Sequence, residues 1–455
     1  MCGITGGLGL VDADAVRALD HRGPDARGCW QGERYWLGHT RLAILDTASR
    51  SDQPFTRGGT VLAYNGELWN FRALRSELEA LGETFTTTGD TEVVAAALDR
   101  WGTFALDRFQ GMFAIAWTSD GGATLRLARD RFGEVPLHLD VRRQRFASEL
   151  KALPGGAAVW VEPGSVVTLA GPGDVQVRHW YRLRTARAAL PVPDAIRQAL
   201  GVGVVERQVS DVGFCVLLSG GIDSSAVAYH VAQTHPQTVA YTAVGAGSSP
   251  DERAAREVAE RFGLELRVVR VPAPSSSDLA AVVRAIEMPH KAQIEIGWAC
   301  YHLARTMAAD GQRVTFSGEG SDELWASYGM SYHGIKKQGW LGYRRQLFHD
   351  QHRKNFARCN KIFMAAGVEC RLPFLSTGLV ELALALPERD VRTAKDPKAV
   401  LGRAYAGLLP DAVLSRAKMT FQDGAGLQAS CAAAVADPQR YYRAEFAAAF
   451  PGVKA

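Results

Sequence analysis

Through residues 1 to about 180 the apolar positions come in short runs broken by turn residues. Segments 38–45 and 61–64 fit strands, in which side chains alternate between two faces. Segments 72–81 and 91–101 are predicted as helices between them. This mixture predicts sheets in layers with helices packed on them, not a repeating parallel unit. Periodicity fails across 182–193, where Arg, Ala and Pro accumulate, which predicts an interdomain connection with its boundary near 185. Beyond it an Ala- and Val-rich helix leads to the apolar strand 214–218, a Ser/Gly turn and a helix beginning near Ser224. Strands at 239–244 and 313–316 repeat that order, as a doubly wound α/β domain does. After about 345 the chain is mainly helical in composition, and no internal repeat is found; the Ala-rich stretch 432–449 comes nearest to low complexity. The expected fold is therefore an α+β layered sandwich over 1–185, followed by a doubly wound α/β domain with C-terminal helices over 186–455.

Composition agrees with two domains, since 455 residues exceed what one core serves. With 47% hydrophobic and 22% charged residues the chain is an ordinary globular one. A net charge of +4 is spread without a long basic block, so no nucleic-acid partner is indicated, and Lys336-Lys337 and Arg344-Arg345 fit a solvated helix face. Seven scattered cysteines without a C-x-x-C pair exclude a disulfide framework and structural zinc. There is no signal-peptide pattern and no bilayer-length apolar run, so the expectation is a cytoplasmic, reduced protein that does not enter a membrane.

Cys2 follows Met1 directly. Removal of Met1 would leave a thiol beside its own α-amino group, whose pKa of about 7.7–8.0 suits a general base. The stretches Met1-Cys2-Gly3-Ile4-Thr5-Gly6, His21-Arg22-Gly23-Pro24-Asp25, Tyr64-Asn65-Gly66-Glu67, Gly89-Asp90-Thr91-Glu92 and Ala128-Arg129-Asp130-Arg131-Phe132-Gly133 resemble, in order, the motifs of class II glutamine amidotransferases, enzymes of the N-terminal-nucleophile fold. That resemblance implies Cys2 as nucleophile and Asn65 with the Gly66 N–H as oxyanion hole. It also implies Arg41 on the glutamine carboxylate, and Glu67 and Asp90 on its ammonium. Singly, Arg41 has a plainer role as a surface ion pair, and Asn65-Gly66 as a hairpin turn.

The turn Ser219-Gly220-Gly221-Ile222-Asp223-Ser224-Ser225 lies between strand and helix, where backbone N–H groups can wrap an anion. It lacks the Walker A spacing and lysine, and resembles the pyrophosphate loop of ATP pyrophosphatases. Ser317-Gly318-Glu319-Gly320-Ser321-Asp322-Glu323, Ser248-Ser249-Pro250-Asp251-Glu252 and Arg416-Ala417-Lys418-Met419-Thr420-Phe421-Gln422-Asp423-Gly424 extend the resemblance to asparagine synthetases over nearly the whole chain. It implies ATP cleaved to AMP and pyrophosphate, Mg2+ on Asp223 and Asp322, Lys418 at the α-phosphorus, and Glu319 as proton acceptor when ammonia adds to an acyl-adenylate. Ser219, Gly220, Gly221, Ser224, Ser317 and Gly318 would surround the phosphates, and Leu217, Val244 and Gly318 the adenosine. The substrates implied are glutamine and a small-molecule carboxylate; a homodimer is left open.

The resemblance fails around the acceptor. Stretch 286–295 replaces the Glu-Thr-Tyr-Asp-Val-Thr-Thr-Ile-Arg run of bacterial asparagine synthetases, with Glu295 where the Arg stands. Asn355, and Ser376 after Pro373-Phe374-Leu375, each replace an Asp. Reversing a charge beside an anionic substrate is costly, so the acceptor is expected not to be free aspartate, with Glu295 and Asn355 in its pocket. The alternatives are aspartate itself, an intramolecular ring-closing ligase like the β-lactam synthetases, a silent binding homologue, or a glutaminase feeding a phosphoribosyl transferase. Cys2 and Glu319 disfavour the second, and retention of Cys2, Asp223, Asp322 and Lys418 the third; a pyrophosphate loop in the same chain disfavours the fourth. An ammonia route along the domain interface, behind 128–133 and 146–149, is expected from the resemblance alone.

Overall fold

The computed structural model describes residues 1–184, 188, 190–245, 247, 249–416 and 424–453. Two antiparallel six-stranded sheets build the first part. One runs Val159–Trp160, His138–Asp140, Arg145–Ala147, Gly3–Leu8, Tyr35–Arg41, Ala26–Gln31, and the other Val175–His179, Ser165–Leu169, Leu125–Arg129, Gly111–Thr118, Thr60–Leu68, Phe55–Arg57. Period-two alternation divides their side chains. Ala63, Met112, Ala114 and Ala116 meet Ile4 and Leu37 between the sheets, whereas Leu62, Tyr64, Phe113, Ile115 and Trp117 face outward beneath two helices. Those helices are Phe71–Ala80 and Thr91–Trp101, close to the predicted spans. Phe71, Leu74 and Leu78 form the buried stripe of the first, each contributing roughly 1.5–3 kcal/mol of apolar burial.

The expected strand over 38–45 instead spans Tyr35–Arg41. Leu42–Leu45 leave the sheet because the Arg41 guanidinium gathers the carbonyls of Leu45, Asp46 and Ala48, and Asp46 turns with a φ of 42°. The predicted boundary near 185 falls on residues outside those described.

The second part is a five-stranded parallel sheet in the order Glu265–Arg270, Val239–Val244, Phe214–Leu217, Val314–Phe316, Glu369–Arg371. Chain direction across the sheet reverses between Phe214–Leu217 and Val314–Phe316. Both strands end there in Ser/Gly turns, at the position where open α/β sheets bind ligands. The helix after the first turn is Ile222–Thr234, beginning two residues earlier than predicted. Gly220 carries a φ of 71°, and a Cβ there would lie 2.4 Å from that of Ala254, so only glycine fits this turn.

Buried charges join the two parts. Arg22 donates to Glu149 Oε1 (2.6 Å) and Asn360 Oδ1 (2.9 Å), and Glu287 receives the Lys361 ammonium and the N–H of Leu150.

Candidate active sites

The central strand Gly3–Leu8 starts just after Cys2 and brings it to Asn65, in the strand Thr60–Leu68 of the facing sheet. The Cys2 N–H donates to Asn65 Oδ1 (2.8 Å), and Asn65 Nδ2 lies 3.3 Å from Ser148 Oγ. Asn65-Gly66 is thus strand, not hairpin. A Cβ on Gly66 would stand 2.2 Å from the Met112 carbonyl oxygen, so glycine is what lets the two strands approach. Burial pushes the Cys2 thiol up, which makes a base necessary. With Met1 in place the Cys2 nitrogen is an amide; the expected α-amino base exists only once Met1 is gone.

Three buried carboxylates, Glu67, Asp90 and Glu369, lie together. Glu369 pairs with the Met1 ammonium and with Arg371 Nε (2.6 Å), and Arg371 Nη2 is 3.8 Å from Glu67 Oε1. Asp90 accepts from the Tyr64 hydroxyl (2.8 Å) and the Leu68 N–H (2.9 Å), while Glu67 Oε2 has no partner among the described residues. Burial drives His39 down to about 3, so it adds no cation. Three anions thus face two cations. Burial pushes Asp90 up to about 6, and burial with the neighbouring Glu369 holds Glu67 well above the usual carboxylate range. An α-ammonium would supply the missing charge. Arg41, expected on the α-carboxylate, spends its Nη atoms on the loop carbonyls and on Asp52 Oδ1 (2.7 Å), so it orders the loop at this site.

In the second part, Ser219, Asp223 and Asp322 are shared by two cavities, of about 770 Å3 and 460 Å3. The larger also takes in Leu217, Ser224, Ser317, Gly318, Glu319 and Asn355; the smaller adds Gly221, Lys398 and Arg416. Gly220 shapes the turn between them. Asp223 and Asp322 converge on one point, where the Lys398 ammonium pairs with both. Burial alone would lower the Lys398 pKa, but the two carboxylates hold it above its ordinary value. Two carboxylates gathered around one cation position suit a divalent ion with water ligands. Glu319 pairs with the buried Arg358, whose Nε has no partner among the described residues. Beside them Gln293 donates to Asn355 Oδ1 (2.6 Å), and Asn355 to Glu323 Oε1 (2.6 Å) and the Tyr328 hydroxyl (2.8 Å).

Two expectations are corrected. Val244 does not line the cavity; it is fully buried one residue past Tyr241, Thr242 and Ala243, which do, and its carbonyl accepts from Val271. Glu295 is also absent from the wall. On the helix Lys291–Ala309 the 3.6-residue period turns Gln293, Ile296 and Cys300 to the cavity and leaves Glu295 off that face, 3.7 Å from Lys291 Nζ and near Cys431 and Tyr442. Lys418 lies outside the described residues. Sequence reasoning missed Lys398, in a turn with no periodic signal, and Arg358, Glu369 and Arg371, whose charges look solvent-facing until partners distant in sequence are known.

Residues 1–165 match the family of glutamine amidotransferase domains, and residues 195–356 and 343–445 match the asparagine synthase family. Asparagine synthetase B [glutamine-hydrolyzing] of Escherichia coli strain K12 is 31% identical over 443 residues, 90% of this chain and 78% of that protein. The chain belongs to the glutamine-hydrolysing asparagine synthetase family. Asparagine synthetase [glutamine-hydrolyzing] 3 of Arabidopsis thaliana is likewise 31% identical over 465 residues, 94% of this chain and 79% of that protein. Asparagine synthetase [glutamine-hydrolyzing] 2 of Oryza sativa subsp. japonica is 30% identical, covering 94% and 78%. Membership makes the chain an ATP-dependent carbon–nitrogen ligase that uses glutamine. Among the described residues no helix is long and apolar enough to cross a membrane.

Two outcomes follow from this geometry. Because Asp90 must be ionised to attract an ammonium, the KM for glutamine should rise as pH falls below about 6, approaching tenfold per unit, with kcat changing less. Steady-state glutaminase assays between about pH 5 and 8 read this, and a level KM would remove Asp90 from the glutamine site. Replacing Lys398 by Met removes the ammonium that pairs with both Asp223 and Asp322. Melting should then fall by several degrees in metal-free buffer, at roughly 2–4 °C per kcal/mol lost, and recover when Mg2+ is added. A K398M melt identical to wild type in both buffers would show that Lys398 does not stabilise the pair.

Proposed function

We propose that the chain hydrolyses glutamine at Cys2 and passes ammonia to a carboxylate adenylated by ATP, and that this carboxylate is not free aspartate. The coupled reading rests on Arg22. Its Nε donates to the Cys2 carbonyl (2.8 Å) and its Nη2 to Asn360 (2.9 Å), two residues along the same helix from Arg358, the partner of Glu319. One buried side chain thus ties the nucleophile to the helix that serves the second site.

In the first reaction the Cys2 sulfur attacks the side-chain amide of glutamine, and Asn65 with the Gly66 N–H receives the oxyanion. Ammonia leaves as the thioester forms, and water releases glutamate. In the second, a carboxylate oxygen of the acceptor attacks the α-phosphorus and pyrophosphate departs beside the Ser219–Ser224 turn. Lys418 matches the family lysine expected at that phosphorus. Mg2+ held by Asp223 and Asp322 would neutralise phosphate charge. Ammonia then adds to the acyl carbon, AMP leaves, and the ionised Glu319, oriented by Arg358, takes the surplus proton.

The acceptor side of the larger cavity supports a carboxylate with an apolar body. Ile296, Cys300, Met330, Tyr343, Leu347 and Phe363 line it. Its cations there are Arg358, committed to Glu319, and Lys354, exposed on the surface. Among the described residues of that wall, the buried guanidinium available to the second carboxylate of aspartate is already paired with Glu319.

Cys2→Ala should lower glutamine-driven synthesis by about 10³-fold or more while ammonium salts still support wild-type turnover. Unchanged use of glutamine by this variant would refute Cys2 as the nucleophile. With ATP, Mg2+ and glutamine, aspartate should yield little asparagine, whereas arylalkyl carboxylates should yield amides together with pyrophosphate, both read by mass spectrometry. Abundant asparagine at ordinary turnover overturns the acceptor assignment.

A further inference from the structure

The buried helix Asn355–Met364 turns Asn355, Cys359 and Phe363, spaced four residues apart on one face, to the larger cavity. Arg358, on the same helix, holds Glu319. Against Cys359 stands Cys370, in the strand Glu369–Arg371, with the two sulfurs 3.2 Å apart. Both are free thiols, and each residue is only 4% exposed. Cys359 belongs to the cavity wall and Cys370 does not. A small molecule that enters the cavity therefore meets Cys359 first, with Cys370 in reach of the same sulfur.

Contact at this range leaves about 1 Å to close before the sulfurs reach a disulfide bond, which is roughly 2.05 Å long. The two residues are eleven positions apart in the chain, so no distant segment has to move to bring them together. Burial holds the Cys370 thiol well above its ordinary range, and it stays protonated until the sulfur in front of it is oxidised. Cys300 shares the cavity wall, and burial pushes its thiol up to about 12.

We propose that Cys359 is a peroxide-reactive thiol and Cys370 its resolving partner, a modification site that confines oxidation of the cavity wall to a reversible disulfide. Hydrogen peroxide is the oxidant. The Cys359 sulfur attacks one peroxide oxygen, the O–O bond breaks, and the departing hydroxide takes up the thiol proton as water. The Cys370 sulfur then attacks the resulting sulfenic acid, the S–S bond forms, and the S–O bond breaks to release a second water with the Cys370 proton. Two thiols thus lose two electrons and two protons, and the peroxide is reduced to two waters. Without Cys370, the sulfenic acid goes on to sulfinic and sulfonic acids, which carry a lasting negative charge. The Cys359 sulfur lies within electrostatic reach of the Arg358 guanidinium, so that charge would compete with Glu319 for its partner. A disulfide is neutral and leaves the Arg358–Glu319 pair alone.

The test is treatment of the full-length protein with hydrogen peroxide, followed by alkylation of the remaining thiols and peptide mass mapping. In the wild type the Cys359 and Cys370 peptides should appear joined, with the loss of two hydrogens, and dithiothreitol should restore both thiols. Cys300 should stay open to alkylation after denaturation. Cys370→Ala should divert Cys359 to sulfinic and sulfonic acids that dithiothreitol does not reverse, at a yield roughly tenfold or more above wild type. Cys370→Ser replaces it if the alanine variant does not fold, and the wild-type crosslink is decisive by itself. Absence of that crosslink, a link from Cys359 to Cys300 in its place, or Cys359 remaining a free thiol in C370A each overturns the proposal. The crosslink should form equally in Cys2→Ala, so this site and the assignment of Cys2 as nucleophile fail separately.

Discussion

Arg22 is fully buried, and its guanidinium is divided among the Cys2 carbonyl, the Glu149 carboxylate and the Asn360 amide. A charge in such a place persists only if every neighbour compensates it, and breaking a buried pair from one side costs about 3–5 kcal/mol. Everything around Arg22 is arranged accordingly. Glu149 is shared with His21 and Lys151, and the nearby Glu287 with Lys361 and the backbone of Leu150. The interface therefore tolerates little sliding, because an interdomain shift of even an ångström or two would strand ions away from water. That rigidity is useful where a small uncharged nucleophile made in one half must reach the other before it is protonated.

The same logic of unequal charge runs through both reaction centres. At the first, the carboxylates of Glu67, Asp90 and Glu369 outnumber the two cations beside them, the Met1 ammonium and Arg371. At the second, two aspartates are held together by an internal lysine ammonium. One cluster keeps a deficit, and the other fills it from within. The two aspartates are thus already drawn together around one cation position, as a preorganised site requires.

Much of this was legible from the chain. Short alternating runs predicted the sandwich, and helix spacing placed 71–80 and 91–101 within a residue. The strand–turn–helix order located the parallel sheet and the Ser/Gly turns at the ends of two of its strands. Asn65 lies beside Cys2, and Asp223 and Glu319 line one cavity. Contacts between distant segments were not legible. Glu369–Arg371 is a three-residue strand with charges at both ends, which no periodicity distinguishes from a surface turn, although Met1 and Glu67 depend on it. Glu295 was misplaced for a related reason: a substituted position in a family stretch says that a residue changed, not which face of its helix it occupies.

The Met1 ammonium is sealed against Glu369, a residue 368 positions later in the chain, and its side-chain sulfur lies 2.9 Å from Asn360 Nδ2. A peptidase that trims the initiator methionine needs a loose, accessible end. Were Met1 removed, as the proposed chemistry at Cys2 requires, an end enclosed in this way would have to be reached before the chain folds around it.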